Sequence, residues 1–371
     1  MFKIYQLKGN EQSIIKKLKD ESIINPDLII FFASSKAFDF NLLNKELSKG
    51  FPTTQLLGCT TSGEISYTGF TNNSLVALVF NSIENFSTTV IPNVSKTPIL
   101  HYDKIEKAIT ESEMSRTGEK GFIIQLITGH NAGEEKALSV VESRFENPPN
   151  LIGGSAGDDL AFETTYVSRN GKVYDDAAVF AFINNNNFKI YKENIFEDSN
   201  NIMQVTKVDV EKRVVYEFDG IAATKRYADL LGIKEAELEK KMFLNPLGRI
   251  IGNDLFISSP KAINNDGSIS FYSRIYNKIH VSILKAANPL TILDKSKAQI
   301  NQDFKKIDGM ICINCILRTL QFKEEKITNT YTQSLGELTK NFGGFTSYGE
   351  QIANLHLNQT LALLVTGTLK K

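Results

Sequence analysis

The chain has 371 residues, about two domains' worth, and is long enough to bury sizeable cores. Its 42% hydrophobic and 23% charged residues are a globular balance, and 42 basic residues against 42 acidic ones leave no net field to recruit nucleic acid or an anionic membrane. The opening MFKIYQLKGNEQSIIKK lacks an apolar core of signal-peptide length, and no stretch reaches the roughly 18 apolar residues that span a bilayer, so no membrane insertion is expected. Three cysteines, Cys59, Cys312 and Cys315, are too few for a disulfide framework, which points to a reducing, cytoplasmic setting.

In chain order, one unit recurs three times. The first copy opens with DLIIFFASS (27–35), an apolar run of buried-strand type, followed by the helical FDFNLLNKELSKGF (38–51), the loop LLGCTTSGEI (56–65) and the strand SLVALVF (74–80). The second runs GFIIQLITGH (121–130), helix GEEKALSVVESRFE (133–146), loop LIGGSAGDDL (151–160) and strand AAVFAFI (177–183), with SRNGK reading as an Asn-Gly hairpin. The runs NFSTTVIPNV and FKIYKENIF read as strands trailing these copies. Between copies two and three, DGIAATKRYADLLGI reads as a helix stopped by Gly232, Pro246 and Gly248 turn the chain before a strand, and GSISFYSRI with KIHVSILKA suggests a hairpin. The third copy runs GMICINCILR (309–318), NTYTQSLGELTKN (329–341), FGGFTSYGEQI (342–352) and TLALLVTG (360–367).

Repeated β-α-loop-β units imply an α/β fold with mixed sheets flanked by helices. Units of this kind are expected to pack about a pseudo-twofold axis, leaving a cleft between equivalent loops. The polar stretch ENIFEDSNNIM (193–203) sets a two-domain division at 1–198 and 199–371.

The loops carry the candidate chemistry. Glycines such as Gly153 let backbone N–H groups approach an anion closely. Cys59, Thr60, Thr61, Ser62 and Ser155 add adaptable polar groups, and Glu64, Asp158, Asp159 and Glu350 are carboxylates suited to an ammonium group. With Arg249 in NPLGR as a second anion binder closing the cleft, the set suits a zwitterion. The plainer alternative is that the glycines make tight turns capped by the acids. Cys59 has no neighbouring base in sequence, and the other copies place Gly154 and Gly344 near its position, so no nucleophile is expected there. Cys312 and Cys315 form a CxxC inside an apolar strand without the further ligands of a zinc site.

Together LLGCTTSGEI, LIGGSAGDD, NPLGR (245–249), YGE (348–350) and HLNQTLALLVTG (356–367) resemble the FIST sensory family, an N-terminal FIST domain followed by its C-terminal partner, over about residues 27–367. The resemblance implies a sensor, not an enzyme, that binds an amino acid or related small metabolite. Its output would pass through a separate signalling protein such as a histidine kinase, a cyclase or a chemotaxis component, since the chain has no room for an output module. It also raises haem, through which some members sense nitric oxide. No c-type attachment motif is present, and of His101, His130, His280 and His356 the candidates for an axial ligand are His130 and His356. No cofactor is the primary expectation, and an enzyme acting on a small metabolite is the alternative from another class.

Overall fold

The computed structural model describes residues 2–370 except Ser22, Ile24 and Asn253. Contacts divide the chain into two units, one of residues 1–193, 293–356 and 361–371, the other of 194–292 and 357–360. The break after residue 193 lies near the polar stretch that suggested a boundary. The division at 198 nevertheless misses that residues 293–356 return to the first unit.

The first unit is three repeats of a longer motif than the sequence suggested. Repeat one comprises β1 (Phe2–Leu7), α1 (Glu11–Asp20), β2 (Leu28–Ser34), α2 (Phe40–Gly50), β3 (Gln55–Thr61), β4 (Glu64–Ser66), β5 (Gly69–Thr71) and β6 (Leu75–Phe80). Repeat two follows the same order with β7 (Phe86–Pro92), α3 (Tyr102–Glu111), β8 (Phe122–Ile127), α4 (Glu134–Glu142), β9 (Leu151–Ser155), β10 (Val167–Arg169), β11 (Lys172–Tyr174) and β12 (Ala177–Ile183). Strand β13 (Phe188–Asn194) opens repeat three.

The second unit then interrupts. It holds β14 (Phe196–Asp209), β15 (Val214–Phe218), β16 (Ile221–Ala222), helices α5 (Ala223–Leu231) and α6 (Glu235–Lys241), β17 (Leu247–Ile251), β18 (Asp254–Ser258), β19 (Pro260–Ile263), β20 (Ile269–Phe271) and β21 (His280–Ala286). These strands form one eight-stranded sheet. Gly232 ends α5 in a left-handed conformation, φ 66°, as its sequence position suggests. Gly248 lies inside β17 rather than in a turn before it. The expected hairpin of GSISFYSRI and KIHVSILKA does not form, because β20 pairs with β15 and β19 while β21 pairs with β14 and β17.

Repeat three resumes with α7 (Pro289–Asp303), β22 (Phe304–Cys315), α8 (Ile316–Glu324), α9 (Thr328–Leu335), β23 (Phe342–Ser347), β24 (Glu350–Ile352), β25 (Leu355–Leu357) and β26 (Thr360–Leu369).

Each repeat supplies a sheet core of identical order and direction. Strands β2 and β3, β8 and β9, and β22 and β23 pair in parallel, and β6, β12 and β26 lie antiparallel on the other side. Strands β7 and β13, which the sequence suggests trail their copies, instead stand at edges of the following sheets, beside β12 and β26. The hairpins are exchanged in a closed circle: β4–β5 joins β23, β24–β25 joins β9, and β10–β11 joins β3. This three-way exchange replaces the expected twofold arrangement. The Asn170-Gly171 turn of β10–β11 has both residues at positive φ, 49° and 82°, as a tight hairpin with native twist requires.

Alternation along the buried strands explains the layers. In β2, Leu28, Ile30 and Phe32 face a central core shared with Ile124, Ile152, Ile313, Phe345 and Leu364, while Ile29, Phe31 and Ala33 pack under α1 and α2. Repeat three adds a buried ion pair: Arg318 Nη2 lies 2.6 Å from Glu193 Oε1, and Tyr331 donates its hydroxyl to the same oxygen at 2.5 Å. Removing one partner strands a buried charge. Arg318→Met should therefore cost on the order of 3–5 kcal/mol in urea unfolding, and adding Glu193→Leu should restore most of it. A double variant no more stable than the single one would contradict this account.

Candidate functional site

The crossing points where hairpins leave their own repeat bring the three loops together. Ser62 donates its N–H to Thr346 O at 3.2 Å and Thr346 donates to Gly63 O at 2.8 Å. Gly157 and Asp159 donate to Thr60 O and Thr61 O, both at 3.0 Å, and Tyr348 donates to Ser155 O at 3.0 Å. The left-handed Gly63, φ 125°, lets the chain cross after only two residues.

Register fixes which residues correspond. Val167, Glu350 and Glu64, the first residues of the exchanged hairpins, stand opposite Cys59, Gly154 and Phe345. Gly154 and Phe345 thus match Cys59, and Gly344 lies one residue away from the position the sequence suggested for it. The thiol is completely buried in the central core, and burial, followed by the nearby Glu64 carboxylate, raises its pKa well above the ordinary value. This leaves Cys59 a core residue rather than a polar loop group.

Glu64, Asp158 and Glu350 are buried and Asp159 is part-buried, and all four are occupied by hydrogen bonds from the crossing loops and the β2–α2 connection, which corrects the expectation that they line an open cleft. Glu64 is fully buried and accepts from Thr61 Oγ1 and Ser74 Oγ, each at 2.6 Å. Burial pushes its pKa up to about 7, opposed by the Ser74 and Thr61 hydrogen bonds and aided by Asp159. Glu350, also fully buried, accepts from Ser347 Oγ at 2.5 Å. Asp158 accepts from the Tyr348 hydroxyl at 2.5 Å and from the amides of Phe162, Glu163 and Thr164. Burial alone would raise its pKa, yet these bonds and nearby His130 hold it below the ordinary range. Asp159 Oδ2 accepts from Ser34 Oγ, Ser35 Oγ and the Lys36 amide, at 2.8 to 3.1 Å.

What faces outward is an aromatic group that the sequence did not assemble. Phe162 stacks on Tyr348 with centroids 5.3 Å apart and planes 11° from parallel, and His130 lies 5.0 Å from Tyr348. Phe162 is 55% exposed and Leu160 39%. His130, Ala132, Asp159, Leu160 and Phe162 all have φ between 51° and 69°, the left-handed region that costs a side-chain-bearing residue energy. A signal for this loop existed: residues 157–166 stand where Ser62-Gly63 and Tyr348-Gly349 make the crossing with two.

The remaining expected residues are dispersed. Thr60 Oγ1 accepts from the Tyr166 amide, and Ser155 donates to Glu134 Oε1, so both hold loop to neighbour. Gly153 lies in β9. Arg249 belongs to the second unit, on β17 opposite Phe256, whereas the converging loops all belong to the first. His356 is buried, with Nδ1 3.1 Å from Gln351 Nε2 and the Gly349 backbone close against its ring, while His130 Nε2 lies 3.9 Å from Asp158. An axial haem histidine needs an apolar face for the macrocycle; the buried, polar and close surroundings of His356 do not fit one.

Two measurements test this description. A carboxyl whose folded pKa exceeds its ordinary 4.5 adds stability that is full below that value and is lost as pH rises through about 7. The parent should therefore lose on the order of 3 kcal/mol through this group by about pH 8, and Glu64→Gln should flatten that loss and be the more stable protein there. Identical pH profiles in urea unfolding would refute it. Cys59, Cys312 and Cys315 are all buried. A thiol reagent should accordingly label none of them until the protein is unfolded, and fast labelling of the native chain would contradict the burial.

An uncharacterized protein of Methanocaldococcus jannaschii is 25% identical over 365 residues, 88% of this chain and 70% of the relative. Two solved structures of cyanuric acid hydrolases align over 99% of both chains, one with 7% identity and a TM-score of 0.37, the other, from A. caulinodans, with 4% and 0.36. Both scores are low, and neither fold nor activity follows from them. Models of the FIST N domain and the FIST C domain match residues 27–221 and 223–353. The chain belongs to the FIST family.

Proposed function

We propose that this chain is the recognition part of a sensory system, binding a small metabolite without turnover and signalling through a separate protein such as a histidine kinase, a cyclase or a chemotaxis component. Family membership associates it with sensing. The observation that carries the ligand site is the segment 157–164, where Leu160 and Phe162 expose large apolar side chains on left-handed backbone. Stability selects against both features, so a binding role is the economical account of their pairing. The ligand is an amino acid or related metabolite whose apolar part lies on Phe162 beside Tyr348 and His130. Covalent chemistry is disfavoured there: burial and Asp158 push the Tyr348 phenol up, and Asp158 is held by that hydroxyl and by the amides of Phe162, Glu163 and Thr164.

A thermal-shift screen of amino acids and related metabolites tests the proposal, because a ligand that binds only the folded state raises its stability. At least one compound should raise the Tm of the parent. Phe162→Gly should be as stable as the parent or more so, since glycine adopts the same φ freely, yet should lose at least tenfold in affinity for that compound. Undiminished binding by Phe162→Gly would place the site elsewhere.

A further inference from the structure

The sheet of the second repeat, completed by the hairpin of the third, holds a buried polar cluster that the other two sheets do not reproduce. In each sheet a glycine on the second parallel strand sits between two neighbours whose side chains share its face: Phe31–Gly58–Ser168, Gln125–Gly153–Gln351 and Cys312–Gly344–Ile65. In repeat one the Phe31 ring fills the space over Gly58, where an added Cβ would collide with it. In repeat two that filler is replaced by two carboxamides. A Cβ on Gly153 would lie 2.9 Å from both Gln125 Cβ and Gln351 Oε1, so the Gln351 carboxamide reaches over the glycine and Gln125 starts beside it.

Both glutamines are completely buried, and Gln125 Nε2, Gln125 Oε1 and Gln351 Oε1 have no hydrogen-bond partner among the described residues. Such atoms are rare in native proteins and costly when unpaired. The cluster continues on the same face. Gln351 Nε2 lies 3.2 Å from Ser155 Oγ, and Ser155 donates to Glu134 Oε1 at 3.1 Å. Glu134 is 4% exposed. Gln125 and Gln351 therefore flank Gly153 with two unsatisfied carbonyl oxygens and one unsatisfied amide nitrogen, and the Ser155 hydroxyl and the Glu134 carboxyl continue from Gln351. Buried carbonyl oxygens left without a donor, beside a hydroxyl and a carboxyl, call for a bound water or ion to satisfy them.

We infer that the Gln125–Gly153–Gln351 cluster, in the sheet of the second repeat that the third repeat's hairpin completes, binds a monovalent cation of potassium or ammonium size. Ser155 and Glu134 complete its oxygen shell. The site is independent of the exposed aromatic group, although Ser155 leads directly into the 157–164 loop.

The full chain is tested in potassium, ammonium, sodium and choline chlorides at one ionic strength. Its Tm should rise saturably in potassium or ammonium above the value in choline, and less in sodium. Gln125→Met, which refills the space with an apolar side chain, should fold and lose the difference among the four salts. Ser155→Ala should weaken the response without removing it. If the parent has one Tm in all four salts, the carboxamides bond only water or each other and the inference fails. It fails equally if Gln125→Met keeps the parent's selectivity.

Discussion

A strand edge left without a partner is the constraint from which this fold follows. Each repeat builds a three-stranded core in which β3, β9 or β23 lies at one side with its N–H and C=O groups facing outward. Unpaired edges invite aggregation and cost hydrogen bonds. Every repeat covers another's edge with its own hairpin, and the exchange closes after three steps. No repeat is complete alone. The three crossing loops must meet where their hairpins pass from sheet to sheet, so the convergence of residues 58–64, 153–159 and 343–350 follows from topology and needs no ligand to explain it. Such a circle also rests on contacts distant in sequence, the more so because the 194–292 unit interrupts the third repeat. A slow folding reaction is the expected consequence.

The buried acids obey a rule across the repeats. Glu64 comes with Thr61 and Ser74 as hydrogen-bond donors, and Glu350 with Ser347 at the matching place. Repeat two has Val167 at the acid's position, with Ala156 and Ala177 at the positions of the hydroxyls, all three in the central core. Acid and hydroxyl thus appear together and disappear together. That is the pattern expected if a buried carboxyl is tolerable only when hydrogen-bonded, and if replacing the whole set by apolar groups is nearly neutral. These acids, so prominent as sequence motifs, are parts of the crossing. The conserved-looking appearance of SGE and YGE inside one chain reflects a shared structural duty.

Much of the architecture was legible because buried parallel strands leave continuous apolar runs: LIIFFAS, FIIQLI and the run through Cys312 are all strands. The leading strands were harder. FSTTVIP and FKIYKEN follow their repeats closely in sequence, and only pairing shows that they belong to the next sheet. The exchange itself leaves no trace in one sequence, since the local pattern of a hairpin does not record which sheet receives it. The candidate site was half legible. Its acids and hydroxyls were identifiable by type, but their burial was not, and Phe162, Tyr348 and Lys36 belong to it through contacts made across more than a hundred residues.

Divergence among equal repeats then says where specialised function can lie. Repeats one and three keep a two-residue crossing, a buried acid and a filled glycine pocket or one lined by Cys312 and Ile65. Repeat two departs at each point: ten residues in the crossing, no acid, and carboxamides over the glycine. Its loop also holds three of the left-handed residues, each costing on the order of 1–3 kcal/mol. A fold needing only three equivalent closures would not retain these costs in one of them. The other two show that the closure works without them, so the second repeat carries features that stability alone does not explain. Its exposed ring, and Ser155, whose hydroxyl meets the carboxamide of repeat three's Gln351, lie in one segment held to both other loops by backbone hydrogen bonds. A change at either place would reach the remaining repeats through those bonds, which is the mechanical property that a sensing element requires.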